Sequence, residues 1–295
     1  MGKRVIIFLA LIPVVLLVMG GMTSLHPLAD SLAVFRLPLG VLTILSAAVL
    51  WPLWPRKFGM MLLALGVASS VTVGLSLAAP EPVAQPNYVL YQKNLSFRNT
   101  DMQPLAVDIA NRHADFITLQ EVTTGNKVLL SLLKNSHPSQ LFCKFASVGG
   151  VGVVSRLPLI EGSQHCIEEH GLAAMQVATP DGHVWLVSLH LRWPFPYGQA
   201  AQVQALLPVL ASFSGPVFVG GDFNMVPWSK SVTVIEQATR SKRIGHSNGT
   251  FRLKGLFNMP IDHVLVPRQF SGSVESLELL GSDHHGVEAR IVRIP

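Results

Sequence analysis

The sequence predicts a layered α/β sandwich, two packed sheets with helices outside, preceded by an N-terminal region of membrane-crossing helices. Three observations predict it. The first eighty residues hold three long uncharged runs. In the remainder, strand-like apolar runs outnumber helix-like stretches about two to one, which suits packed sheets better than a doubly wound parallel sheet. Several of those runs end in carboxylates, amides or imidazoles that a core strand would not otherwise tolerate.

The uncharged runs are Val5–Met22, Leu37–Trp54 and Phe58–Ala79. Each approaches or exceeds the roughly 20 residues that a helix needs to cross about 30 Å of hydrocarbon. Three transmembrane helices, near 5–22, 37–54 and 58–79, are the simplest reading of a membrane region over 1–80. Two alternatives stand beside it. The basic MGKR start suits a cleaved signal peptide, although GGMTSLHP after the first run lacks a small-x-small cleavage site. The second run, with its internal prolines, suits an interfacial segment.

Charge follows the same division. Of the formal +5, residues 1–80 carry +4, with Lys3, Arg4, Arg36, Arg56 and Lys57 against Asp30 alone; the rest is close to neutral. The pI near 9.4 is therefore a property of the membrane region and not a nucleic-acid footprint. Lys3 and Arg4 precede the first run and Arg56 and Lys57 separate the second from the third, whereas Asp30 and Glu81 occupy the alternate connections. Basic residues mark the cytoplasmic side. The N-terminus is then inside and everything after Pro80 outside, with Arg36 the one dissenting charge.

Prolines at 80, 82 and 86 make 81–86 an extended linker. A domain begins near Asn87 and runs to 295, long enough for one well-buried core, without internal repeats. Within it YVLY, FITL, GVGVV, MQVAT, VWLVSLHL, PVFVGG, HVLV, VESLELL and VEARIV read as strands, and 103–113, 125–135, 199–213 and 229–240 as helices. In the first helix Leu105, Ala106 and Ile109 share one face. Only 13% of the chain is charged, against roughly 25% in soluble domains, which with 49% hydrophobic residues excludes disorder. Two cysteines are too few for a disulfide scaffold or a zinc ribbon. Cys143 and Cys166 flank one strand and could pair if the domain lies outside.

The strand ends carry the chemistry. VLYQK runs into Asn94, FITLQ into Glu121, VWLVSL into His190 and PVFVGG into Asp222 and Asn224. Asp262 and His263 open DHVLV, and Asp283, His284 and His285 precede the last strand. If those ends share a sheet edge they form one polar focus. Carboxylates with an amide oxygen make a hard site for Mg2+ or Mn2+. A hard cation with two imidazoles and an Asp-Asn pair suits transfer of a phosphoryl group to water.

At these residues the chain resembles the endonuclease/exonuclease/phosphatase superfamily, the deoxyribonuclease-like metal phosphoesterases. In order, the matching pieces are K-N-L-S-F at Asn94, L-Q-E-V at Glu121, G-V-G-V-V-S-R-L-P-L at 150–159, S-L-H-L at His190, G-D-F-N at 221–224, I-D-H-V-L at 261–265 and S-D-H-H-G-V at 282–287. Singly each is weak; ordered and strand-terminal, they are specific. The resemblance implies a four-layer sandwich of two packed mixed β-sheets flanked by helices. It also implies a metal set of Glu121 with Asn94 and Asp283 completing or supporting it. Asp222 would deprotonate the attacking water, Asn224 would donate to a phosphate oxygen, His284 paired with Asp262 would contact the scissile phosphate, and His190 would serve phosphate or leaving group. Gly286 stands where the family pattern has proline, which questions the rigidity of that loop.

Each residue also has a plainer reading: Glu121 as a solvated strand-end carboxylate, Asp222-Phe223-Asn224 as turn chemistry, His190 as a satisfied strand histidine. The ordered set argues against all of them together. His263 and His285 adjoin site residues on alternating strand faces and are expected to point away. Asp-His-His matches another phosphoesterase class only superficially, since that class needs further motifs downstream, and the G-N-H box of calcineurin-like enzymes is absent. The basic segment 240–254 reads either as a phosphate-contacting rim or as a solvated loop, and RWPFPYG at 192–198 as an aromatic rim or a loop core. A near-neutral domain beside a bilayer favours a lipid head group or small phosphodiester as substrate. An extracytoplasmic nuclease, and a non-catalytic ligand-binding or sensory module, are the alternatives.

Overall fold

A computed structural model describes residues 2–78, 82–247, 249–255 and 257–294. Ala79, Pro80 and Glu81, where the third span was expected to end and the linker to begin, lie outside the described residues, as does Asn248 of the basic segment.

The N-terminal region is α1 (Gly2–Gly21), α2 (Pro27–Leu32), α3 (Arg36–Leu50) and α4 (Arg56–Ser76). A 3-10 turn at Ala33–Phe35 joins α2 to α3, so the second helical stretch starts at Pro27 rather than near 37. The cause is local. His26 Nδ1 accepts the Leu28 N–H at 3.1 Å and Pro27 occupies the first turn, so a helix starts among residues too polar to register in hydropathy. The three stretches are long and apolar enough to cross a membrane. Gly40 and Gly66 let α3 and α4 approach closely, since a Cβ on Gly66 would meet the Gly40 carbonyl.

The globular domain stacks two six-stranded mixed sheets. The first, in spatial order, is β13 (Phe270–Ser276), β14 (Val287–Arg293), β1 (Tyr88–Asn94), β2 (Phe116–Val122), β4 (Gly149–Ser155) and β3 (Ser139–Ala146). The second is β5 (His165–Ile167), β6 (Leu172–Thr179), β7 (Gly182–His190), β8 (Val217–Asp222), β12 (Asp262–Pro267) and β9 (Ser241–Arg243). A hairpin, β10 (Phe251–Leu253) with β11 (Phe257–Met259), stands apart. Helices α5 (Gln103–Asn111) and α6 (Val128–Leu132) cover the first sheet, and α7 (Gln199–Ser212) and α8 (Lys230–Thr239) the second.

The fold class matches the expectation, with differences at edges. Strands β3, β5, β9, β10 and β11 were not foreseen, because short or half-exposed edge strands lack clean alternation. The run expected as VESLELL is displaced: β13 ends at Ser276 because the Leu277 N–H turns to the Gly286 carbonyl at 2.8 Å. The expected 125–135 helix contracts to Val128–Leu132. Residues 82–86 are not a free linker. Val83 donates to Ser273 Oγ at 3.0 Å, and Arg290 Nε donates to the Val83 carbonyl at 2.7 Å. Cys143 and Cys166 form a disulfide with Cα atoms 5.4 Å apart.

Between the sheets, apolar side chains from both inner faces form one core around stacked and tilted rings: Tyr88 on Phe116 at 5.3 Å, Phe116 on Phe218 at 5.6 Å and Phe218 on Phe270 at 5.2 Å. Phe116 is fully buried at the centre of this group. Phe116→Ala is expected to cost about 3–5 kcal/mol through lost burial and a residual cavity, read as a lower chemical-denaturation midpoint.

Candidate active site

Strand register assembles the first half of the site. His190 at the end of β7 is the parallel partner of Asp222 on β8, and Asp222 is the antiparallel partner of Asp262 on β12. The three side chains therefore form a row across neighbouring strands, and all are buried. The other sheet contributes Asn94 and Glu121 from the ends of β1 and β2. The return into β14 contributes Asp283 and His284.

Hydrogen bonds join the two halves. Asn94 Nδ2 donates to Asp222 Oδ2 at 3.0 Å and to Glu121 Oε1 at 3.3 Å, while Asn94 Oδ1 accepts the Ser96 N–H at 2.9 Å. That last bond fixes the amide so that its NH2 faces the carboxylates. Glu121 Oε2 accepts the Phe97 N–H at 2.7 Å. Glu121 itself adopts a left-handed backbone, φ 55°, at the register shift between β2 and β4. Such a bulge re-aims a side chain, and here Asn126 holds it by donating to the Glu121 carbonyl at 3.0 Å. His284 Nδ1 lies 2.9 Å from Asp262 Oδ2, and His284 Nε2 lies 3.8 Å from Asp222 Oδ2. Asn224, φ 49°, gives its backbone N–H to Asp222 Oδ1 at 2.8 Å and one amide hydrogen to the Leu191 carbonyl at 2.7 Å, leaving the other free.

The electrostatics separate the two imidazoles. Burial pulls His284 down, but Asp262 and Asp222 outweigh it and push it up to about 9. Burial, reinforced by that imidazolium, brings His190 down to about 4. One ring is charged and the other neutral at pH 7. Burial and the adjacent Asp262 raise Asp222, whereas His284 outweighs burial and holds Asp262 low. Burial raises Glu121.

Several supporting residues had no sequence signal beyond being polar on an otherwise apolar strand. Gln92 Nε2 donates to Asp262 Oδ1 at 2.9 Å and Gln120 Oε1 at 2.7 Å, and Gln120 Nε2 reaches Ser188 Oγ at 3.0 Å, tying the sheets together beneath the site. Lys93 is fully buried and its ammonium donates to the carbonyls of Glu278, Leu279 and His284 at 3.0, 2.8 and 2.7 Å. Ser282 Oγ donates to the Asn94 carbonyl at 2.7 Å. These bonds pin the 278–284 loop where Gly286 had placed its rigidity in question.

The cluster opens into a cavity of about 380 Å³ lined by six of the eight singled-out residues, Glu121, His190, Asp222, Asn224, Asp283 and His284; the other two bind those that do, Asn94 to Asp222 and Asp262 to His284. Phe97, Phe145, Trp193, Tyr197 and Phe251 are its aromatic lining. The basic segment 240–254 supplies that Phe251 and, among the described residues, no basic side chain to the lining. His263 and His285 face away as expected, with ring nitrogens on the Met225 carbonyl at 2.8 Å and the Leu277 carbonyl at 2.7 Å.

Asp222, Asp262 and His284 each offer an atom within 4.8 Å of the others, a spacing a metal could accept. A protonated imidazole clamped by two carboxylates has no lone pair to give, however. Glu121 fits better. Its two oxygens each accept one hydrogen bond and keep capacity, the exposed carboxylate of Asp283 is near, and a cation would relieve the burial that raises its pKa. This is a hard-oxygen donor set.

Two stacked mixed sheets with acid, amide and imidazole groups at their ends define a metal-dependent phosphoric ester hydrolase. The chain belongs to the endonuclease/exonuclease/phosphatase family, whose family model matches residues 92–284. No curated protein sequence matches it. Among solved structures, D. rerio TDP2 complexed with single-strand DNA product is similar with a TM-score of 0.56 at 14% identity, covering 69% of this chain and 98% of that one. A mannosyl-6-phosphatase from Bacteroides thetaiotaomicron gives 0.54 at 15% identity, covering 70% and 100%. Staphylococcus aureus beta toxin gives 0.51 at 15% identity, covering 69% and 99%. At such identities the likeness is one of fold.

His263 yields a test away from the catalytic groups. Burial, then Arg243, lowers it from 6.5 to about 4, so between those pH values the folded state binds fewer protons than the unfolded one. Its contribution is present above pH 6.5 and is lost as pH falls toward 4. His190 shifts the same way. Thermal midpoints of His263→Gln, whose amide can still donate to the Met225 carbonyl, are expected to decline less steeply over this window than those of the wild type.

Proposed function

We propose that this chain is a membrane-anchored phosphoesterase, dependent on Mg2+ or Mn2+, that hydrolyses a lipid head group or small phosphodiester on the extracytoplasmic face. The observation that carries the lipid reading is a shared wall. Trp193 and Tyr197 line the catalytic cavity, while Phe195 between them packs edge-on against His26, in the connection between the first two membrane helices, at 5.6 Å. A second feature agrees. One face of the β10–β11 hairpin places Phe251 4.8 Å from the His284 ring, and Leu253, Phe257 and Met259 line an apolar cavity of about 350 Å³ shared with Leu37 and Val73 of the membrane helices. A polynucleotide is disfavoured because the domain is nearly neutral and affinity for such chains comes from neutralising several phosphates.

Glu121, supported by Asn94 and Asp283, would hold the cation, which when bound supplies positive charge to the phosphate and the leaving oxygen. Asp222, raised by burial, takes the proton of the water whose oxygen attacks phosphorus, and the bond from phosphorus to the leaving oxygen breaks. The His284 imidazolium, kept in orientation by Asp262, and the free amide hydrogen of Asn224 hold the phosphoryl oxygens. Neutral His190 donates to phosphate or to the leaving oxygen.

Two observations support the proposed orientation. The Ala33 carbonyl accepts Trp228 Nε1–H and the Ser76 carbonyl accepts the Ser247 N–H, each at 2.7 Å, so the connection after α1 and the end of α4 lie on the side of the globular domain. Arg56 and Lys57 are then at the far side, which the positive-inside rule makes cytoplasmic. The Cys143–Cys166 disulfide suits an oxidising compartment.

Turnover of bis(p-nitrophenyl) phosphate is expected to cease with EDTA and to return with Mg2+ or Mn2+, and Asp222→Asn is expected to lower kcat by about 10² or more. Metal-independent turnover, unchanged in that variant, would refute the site. For substrate and topology, the full chain in vesicles is expected to hydrolyse phospholipid head groups in preference to DNA, and an alkaline phosphatase fused after residue 86 to be active. An inactive fusion that is stably expressed would reverse the orientation.

A further inference from the structure

The geometry points to the membrane region as part of the catalytic unit: Asp30, in α2, is a positioning residue for the Asp222–Asn224 turn, acting through Ser231 and Gln199. This rests on the roles proposed above for Asp222 and Asn224.

Asp30 is buried, and its side chain bonds residues 200 and 201 positions later. Its Oδ1 accepts the Lys230 N–H at 2.6 Å, and its Oδ2 accepts the Ser231 N–H at 3.1 Å and the Ser231 hydroxyl at 2.9 Å. A carboxylate at the first turn of α8 meets unpaired N–H groups and the positive end of the helix dipole. Helix α8 already has its own cap, since Ser229 accepts the Val232 N–H at 3.2 Å. The carboxylate is thus not required to start the helix, and burying it carries a desolvation cost that a solvated cap would avoid.

From Ser231 the contacts run inward. The Ser231 hydroxyl hydrogen is shared with Gln199 Oε1 at 3.1 Å. Gln199 is itself buried, and its Nε2 donates to the Arg192 carbonyl at 2.6 Å and the Phe223 carbonyl at 3.0 Å. Phe223 is the residue between Asp222 and Asn224. Arg192 lines the cavity and follows Leu191, whose carbonyl holds the Asn224 amide. One side chain therefore orients both stretches of backbone that aim the catalytic turn, and a residue of the membrane region orients that side chain. A second grip acts on the same segment. Besides the Trp228 bond to the Ala33 carbonyl, the Arg36 guanidinium lies over the Trp228 ring at 5.8 Å.

The test uses the full chain in bilayer nanodiscs with bis(p-nitrophenyl) phosphate, which is water-soluble and needs no delivery by the membrane. Asp30→Ala and Gln199→Ala are each expected to lower kcat by about 10–100-fold, the range for groups that orient catalytic ligands, with KM unchanged. The double variant is expected to lose no more than the larger single loss, because both act on one chain of contacts. Ser231→Ala, which leaves no new cavity of consequence and removes only the shared hydroxyl, is expected to lower kcat in the same direction and serves if Asp30→Ala does not fold. Wild-type kcat in Asp30→Ala or, where that variant fails, in Ser231→Ala, or losses that multiply in the double variant, would overturn the proposal. Asp222→Asn is the control. If it keeps full turnover the site assignment fails; if it is inactive while Asp30→Ala and Ser231→Ala are not, only the coupling to the membrane region fails.

Discussion

Two carboxylates buried face to face are the constraint around which this domain is arranged. Asp222 and Asp262 are register partners on adjacent strands and both are withdrawn from water. In such surroundings like charges cannot both persist without a compensating cation and donors. The His284 imidazolium supplies the charge, and Asn94 and Gln92 supply hydrogen bonds from the opposite sheet. The 278–284 loop must then be held, since it delivers that imidazole, and this accounts for a fully buried lysine bonded to three of its carbonyls.

Bringing two sheets close enough for these bonds demands small residues where they meet. A Cβ on Gly220 would strike the Thr118 side chain, and one on Gly221 would strike the Leu189 carbonyl. Gly220 lets β8 lie near enough to β2 of the opposite sheet for Asn94 to touch Asp222 and Glu121 at once, and Gly221 lets β8 pair closely with β7 in its own sheet. The glycines and the acid are thus parts of one device: close approach of the backbone, then a side chain presented at its edge.

The N-terminal helices are joined to the globular domain by more than the chain connection. The segment between α1 and α3 contacts the domain through the buried Asp30 carboxylate, the Ala33 carbonyl and the exposed ring of His26. The aromatic loop 193–197 faces the cavity on one side and that segment on the other. An N-terminal helical connection, a loop and the polar cavity thus meet within one short stretch of chain.

Read alone, the sequence marks three long apolar stretches, the sandwich class and eight polar residues at the ends of strand-like runs, because hydropathy, alternation and motif order are local properties of the chain. It did not reveal Lys93, Gln92, Gln120 or Ser188, whose polarity on apolar strands becomes meaningful only when a partner arrives from the other sheet. Nor did it mark the partners of Asp30, which reads locally as a loop charge and accepts N–H groups from the first turn of a helix two hundred residues away. Register across β7, β8 and β12 decided which acid faces which imidazole, and sheet stacking decided which carboxylate remains free for a cation. Those outcomes depend on distances between segments remote in sequence, and such distances exist only after the chain has packed.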